Sequence, residues 1–325
     1  MIQFTARIAC VILLSASALA QPHHAVVPDW PRLPAGHTLG LCAGVGVDVQ
    51  NRVFVFHRSG RTWSNPFPKE PIAQPTISVF DGSTGSLLAT WGEKRFIMPH
   101  GLSIDHEGNV WLTDVGLHQV FKCTPEGKVL LTLGEAGVSG SDHSHFNLPT
   151  DVAVLRDGSF YISDGYKNTR VMKFSAEGRF EFEWGTKGEH DGEFNLPHGI
   201  AIDSRGRVIV CDRENERLQL FNSRGGFIAA WKGPQLGKPY GLATTSDDHV
   251  FIIDGGSPSL KPELRGKAVE LDATGAVIDT FGSFGKAPGQ FQLGHDIAIG
   301  PDGAVYIAEG TGARVQKFVR RKEKP

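Results

Sequence analysis

Apolar and polar residues alternate along most of this chain with a period of two, and β-branched and aromatic residues dominate the apolar set. That pattern predicts short, half-buried β-strands. One internal order recurs. A Pro-x-Gly or similar opening leads to a strand such as Leu102-Ser-Ile-Asp105, then an acidic-Gly turn. A second strand such as Asn109-Val-Trp-Leu-Thr-Asp114 follows, then a polar turn, a third strand such as Gln119-Val-Phe-Lys122, and a fourth ending in Trp-Gly or a similar pair. The openings Met98-Pro-His-Gly-Leu, Leu148-Pro-Thr-Asp-Val, Leu196-Pro-His-Gly-Ile, Lys238-Pro-Tyr-Gly-Leu and Leu293-Gly-His-Asp-Ile align, and Cys42-Ala-Gly-Val is a degenerate first copy. From Pro99, successive openings come 50, 48, 42 and 55 residues apart, at Pro149, Pro197, Pro239 and Gly294. Four short strands at that period predict an all-β fold, a six-bladed β-propeller. The second-strand ends, His57, Asp114, Asp164, Asp212, Asp254 and Glu309, give the same count of six.

The last copy stops after its third strand, Arg314-Val-Gln-Lys-Phe-Val319. Residues 21–40 are therefore expected to supply the missing strand, because unpaired edges forfeit hydrogen bonds and invite aggregation. The propeller then covers residues 41–319, and the basic stretch 320–325 is a solvated tail.

Composition agrees with strands and turns. Of 325 residues, 40 are Gly and 19 Pro, which disfavours helix. The formal net charge of −2 offers no basic field, so no nucleic-acid partner is expected. Arg7, the apolar run 8–19 and Ala18-Leu19-Ala20 read as a secretory signal over residues 1–20. The mature protein is expected to be a monomer, secreted or periplasmic, and free of the membrane once the signal is removed. Cys10 leaves with that segment. Cys42, Cys123 and Cys211 remain, an odd number that leaves at least one free thiol in a monomer.

Chemistry enters through three histidines. His100, His198 and His295 hold the same position in copies two, four and six. In a closed six-bladed ring, alternate copies lie about 120° apart, so three imidazoles would converge on the axis. A lone histidine there is more often a hydrogen-bonded channel residue. Three in strict alternation point to a metal site with an open position, and neutral imidazoles favour Zn²⁺ over Fe or Cu. Asp296, beside His295, either orients a ligand, binds a harder cation such as Ca²⁺, or only hydrogen-bonds to the next blade; Asp151 shares its position. Arg58 replaces the usual aspartate turn and Tyr166 follows Asp164-Gly165, which places a cation and a phenol near the channel mouth. Beside a dication and an arginine, that phenol is expected to lose its proton easily. The repeated aspartates are read as turn-fixing residues, Arg170, Arg217 and Arg314 as pairs between blades, and Ser141-Asp-His-Ser-His145 as a solvated or substrate-facing loop.

Longer runs carry a resemblance. Phe56-His-Arg58, Trp91-Gly92, the stretches 98–114 and 134–146, Pro149-Thr-Asp-Val-Ala-Val154, Asp164-Gly-Tyr166 and Asp212-Arg-Glu-Asn215 resemble the peptidyl-α-hydroxyglycine α-amidating lyases, a family within the NHL-repeat propellers. The likeness spans about residues 40–319. It implies a zinc lyase that cleaves the N–C bond of a peptide ending in α-hydroxyglycine, or a similar carbinolamide, and releases a primary amide and glyoxylate. It implies that His100, His198 and His295 hold Zn²⁺, that Tyr166 is the base, and that Arg58 sits beside it and binds the glyoxylate end. Asp296 with the backbone carbonyls of Val45 and Leu102 would form a structural Ca²⁺ site. No organic cofactor is implied. The sequence departs from the family where Leu293 stands for a methionine, Gly294 for a proline and Lys167 for a cysteine, and where Cys211 lacks its partner near Leu220. The monooxygenase domain that makes the hydroxyglycine in fused enzymes is missing, so the substrate is expected to come from elsewhere. Two other readings remain at this point: a metal-dependent propeller hydrolase or lactonase, and a non-catalytic NHL interaction module.

Overall fold

The computed structural model describes residues 22–256 and 266–321. The expected signal segment and the last residues of the tail, 322–325, lie outside the described residues. Six four-stranded antiparallel sheets form the blades of a propeller, five of them with their strands in chain order from inside to outside. The innermost strands are Cys42–Val47, Pro99–Ile104, Asp151–Val154, Pro197–Ile202, Pro239–Thr244 and Gly294–Ile299. They pack side by side around the axis, and the last rests against the first. In the sixth blade His24–Val26 forms the outermost strand, antiparallel to Arg314–Arg320, with Ala25 opposite Val319.

Burial follows position in the blade. The second strand of blade 2, Val110–Asp114, is buried along its whole length, whereas the outer strand Val129–Leu133 leaves Leu130 half exposed. The core lies between blades. Phe54, Phe56, Val79 and Trp91 of blade 1 meet Leu102, Leu112 and Phe121 of blade 2. Trp30, from the N-terminal segment, packs against Tyr306 with ring centres 4.9 Å apart and so seals blade 1 to blade 6. Cys42, Cys123 and Cys211 are buried free thiols. Among the described residues, no helix is long and apolar enough to cross a membrane.

The repeated carboxylates do more than fix the following turn. Asp114 accepts the N–H groups of Gly116 and Leu117 in that turn and also those of Ile97 and Met98, at 2.7–3.0 Å. It thereby anchors the segment that leads into His100. Asp212 takes the N–H of Asn195 in the same way, and Glu309 that of Gln292. The reading of Arg170, Arg217 and Arg314 as pairs between blades is corrected here. Each pairs with the carboxylate of its own blade, Asp164, Asp212 or Glu309, and donates to backbone carbonyls of the loop arriving from the blade before. Five fixed donors on a guanidinium suit that mixed set of buried acceptors.

Candidate metal centre and substrate cavity

Each ligand-bearing strand is irregular where its histidine sits. Strand pairing shifts register between Pro99 and Leu102, between Pro197 and Ile200, and between Gly294 and Asp296. Bulges of this kind re-aim a side chain, here toward the axis. Gly101 makes room: a Cβ there would lie 2.4 Å from the Thr150 carbonyl oxygen. That same oxygen accepts the Nδ1–H of His100 at 2.8 Å. His198 donates to Tyr240 O at 2.7 Å and His295 to Ala43 O at 2.6 Å. Every even blade thus supplies an imidazole and every odd blade the carbonyl that orients it.

A carbonyl partner requires each Nδ1 to carry the proton, which leaves the Nε2 lone pairs pointing inward. Ring centres stand 4.8–5.0 Å apart, and the ligand nitrogens lie within 4.8 Å of one another. All three side chains are buried. Burial holds His100 and His198 well below the usual imidazole value, helped by their imidazole and guanidinium neighbours, and pushes His295 down to about 3. Three neutral imidazoles with converging lone pairs suit a divalent cation, and the donor set fits Zn²⁺.

A cavity of about 600 Å³ opens above His295 and is lined by Arg58, Trp63, Tyr166, Arg213, Tyr240 and Leu293 among others. The Tyr166 hydroxyl stands 3.1 Å from His100 Nε2 and 3.4 Å from His198 Nε2. Arg58 is buried, donates from Nε to Pro99 O at 3.0 Å, and faces the Trp63 ring at 5.5 Å. Enclosure raises the Tyr166 phenol above its ordinary value, while Arg213 and Arg58 pull it down without cancelling the rise. The sequence predicts that Arg58 and a dication together make this phenol acidic; the two guanidiniums alone leave it raised.

Arg213 was not singled out from the sequence. It begins the 3₁₀ turn Arg213–Asn215, and its guanidinium lies 4.5 Å from the Tyr240 ring centre and 5.5 Å from that of Tyr166. A signal was available: Arg213 directly follows a second-strand end, as Arg58 does three blades away. Trp63 was missed as well, because it sits in a loop with no repeat counterpart. The 141–145 loop is largely exposed, and its carbonyl oxygens accept hydrogen bonds from Arg170.

Below the histidines, Asp296 and Asp151 face a narrow channel shared with His100, His198 and His295. Asp296 accepts the N–H of Val45 at 2.9 Å and that of Ile297, while Asp151 accepts those of Val152 and Ile200. Loss of hydration, and each other's charge in the case of Asp296, raise both carboxyls. Such a pair needs a shared proton or a cation. Leu102 is buried against Gly44, the neighbour of Val45. Leu293 reaches the cavity wall, and Gly294 leaves space that Ile253 fills.

The NHL-repeat family model matches residues 194–221, the start of blade 4, so the fold is an NHL-repeat propeller. Streptogramin B lyase, a solved structure, superposes with a TM-score of 0.58 at 14% identity over 88% of this chain and 95% of that one, a likeness of fold alone. The chain is 36% identical over 309 residues to peptidyl-glycine alpha-amidating monooxygenase B of Xenopus laevis, covering 89% of this chain and 35% of that protein. The chain thus spans little more than a third of that relative's length. Against peptidyl-alpha-hydroxyglycine alpha-amidating lyase 2 of Drosophila melanogaster it is 36% identical over 326 residues, covering 93% of this chain and 77% of that protein. The chain belongs to the peptidyl-alpha-hydroxyglycine alpha-amidating lyase family.

Proposed function

We propose that this protein is a zinc-dependent lyase that acts, as an exported monomer, on peptides ending in α-hydroxyglycine or on similar carbinolamides. Its products are a primary amide and glyoxylate. The observation that carries the reading is the Tyr166 hydroxyl, within 3.1 and 3.4 Å of two converging histidine nitrogens in a cavity that also holds Arg58.

His100, His198 and His295 would hold the zinc, which supplies Lewis acidity that makes a substrate hydroxyl easier to deprotonate. Tyr166 accepts the hydroxyl proton. The C–O bond then becomes a carbonyl as the C–N bond breaks, and the departing amide nitrogen takes up a proton. Arg58 binds the carboxylate of the glyoxylate half through a charge-assisted contact. Arg213 holds Tyr166 and Tyr240 in place from the opposite wall. Asp296, with backbone oxygens of Val45 and Leu102, is the proposed Ca²⁺ position beneath. A purely non-catalytic module gives no reason for three buried imidazoles to converge with a phenol hydroxyl set against two of them.

Glyoxylate release from an N-acyl-α-hydroxyglycine tests the reading. Wild-type turnover that collapses in His198→Ala and Tyr166→Phe supports it. Absence of turnover in protein loaded with zinc at the three histidines rejects the substrate class.

A further inference from the structure

A second group of metal-ligating side chains lies where the ring is closed, on the face away from the cavity. The inner strand of blade 5 starts at Pro239 beside the cavity and ends at Thr244, so the turn 245–249 and its contacts face the other way. There, His24 of the N-terminal strand meets Glu270 and Asp279 of the two outer strands of blade 5. His24 Nδ1 is 2.8 Å from Asp279 Oδ2 and 3.9 Å from Glu270 Oε2, and the three ligand atoms lie within 4.8 Å of one another. The side chains are 2%, 6% and 1% exposed in that order.

The surroundings are those of a built site. The His24 ring stacks on Phe281 at 4.6 Å and meets Phe251 edge-on at 5.7 Å, which fixes its orientation. His249 Nδ1 holds Glu270 Oε1 at 2.8 Å, as outer partners hold ligating carboxylates. Glu270 Oε2, on the side of His24, is buried with no hydrogen-bond partner. Arg320 lies 3.8 Å from the other oxygen and is 56% exposed. Two buried carboxylates against an aromatic wall demand positive charge between them.

We propose that His24, Glu270 and Asp279 bind a divalent transition-metal ion of the zinc type, which clamps the N-terminal strand onto blade 5. One imidazole and two carboxylates are donors such an ion accepts. A cleft of about 330 Å³ that includes His24, His249 and Glu270 gives it a path from solvent and room for a water as fourth ligand. A strand of three residues is a weak latch by itself. Metal binding that exists only in the closed ring adds its free energy to closure.

The test uses His198→Ala protein, in which the three-histidine site is already broken, so the outcome does not depend on the catalytic reading. Dialysed against micromolar zinc, this variant is expected to retain about one zinc per chain. Its Tm should rise by several degrees over the chelator-treated sample. Adding His24→Gln or Asp279→Asn removes both effects, with the zinc-free circular dichroism spectrum unchanged as a check on folding. Should one partner variant fail to fold, the other decides. The proposal is overturned if bound zinc and the zinc-induced Tm shift are the same with and without both changes. A Tm that zinc does not raise also overturns it.

Discussion

Nδ1 of His295 donates to the carbonyl oxygen of Ala43 at 2.6 Å, joining the last inner strand of the ring to the first across 252 positions of sequence. The bond closes the propeller at its axis and fixes one of the three inward-facing imidazoles. Closure of the fold and assembly of the candidate metal centre are therefore coupled.

Chelator treatment should accordingly lower Tm, and zinc should restore it. In the proposed site, His100→Ala or His198→Ala is expected to cut glyoxylate release by more than about 100-fold, beyond the loss typical of an outer-sphere partner. Metal content measured beside activity separates loss of ligand from loss of fold.

Tyr166→Phe keeps the ring and removes only the hydroxyl. The expected loss in kcat is roughly 10²–10⁴-fold, the usual range for a positioned proton acceptor, with bound zinc unchanged. Full activity in this variant would assign the base to another group.

Arg213 pulls the Tyr166 phenol downward in pKa, against the rise caused by enclosure. Removing that cation in Arg213→Ala raises the phenol further. Since the base must be deprotonated, the alkaline-rising limb of the kcat profile should move to higher pH. A profile that stays in place while KM rises would limit Arg213 to substrate binding.

Gly101→Ala pushes a methyl group into the Thr150 carbonyl, at 2.4 Å in the present backbone. The strand must shift, and overpacking of this kind costs about 1–3 kcal/mol. The same shift moves His100 off its carbonyl, so zinc affinity should fall together with Tm.

His57 gives a pH signature independent of the metal. It is buried beside Ser78, and loss of hydration lowers it to about 3. An unfolded imidazole takes its proton near 6.5, so between those values unfolding binds a proton and stability falls as pH falls. Above that window the imidazole is neutral in both states and the term vanishes; below it the penalty is complete, about 5 kcal/mol. His57→Gln should flatten Tm against pH from about 6.5 downward.

The ring and the three histidines were legible because both repeat: strand alternation has period two, and the imidazoles recur 98 and 97 residues apart. What holds the imidazoles was not, since Thr150, Tyr240 and Ala43 act through backbone oxygens that any residue type provides. The arginine network was misassigned because a third-strand start can reach either its own blade or the next, and only the fold shows that it turns back. Arg213 was concealed by its ordinary surroundings, although its register matches that of Arg58. His24, Glu270 and Asp279 left no trace, as they come from three separate strands and have no counterpart in other copies.

Alternation of imidazole and carbonyl makes a pair of blades the smallest unit that can be added or removed. Losing one blade would put two ligand copies, or two carbonyl copies, side by side and break the even spacing of the imidazoles around the axis. Losing two would leave a centre with a pair of ligands. Parity thus ties the number of blades to the coordination number, so a ring built this way can tolerate long insertions in its loops but no change in its count.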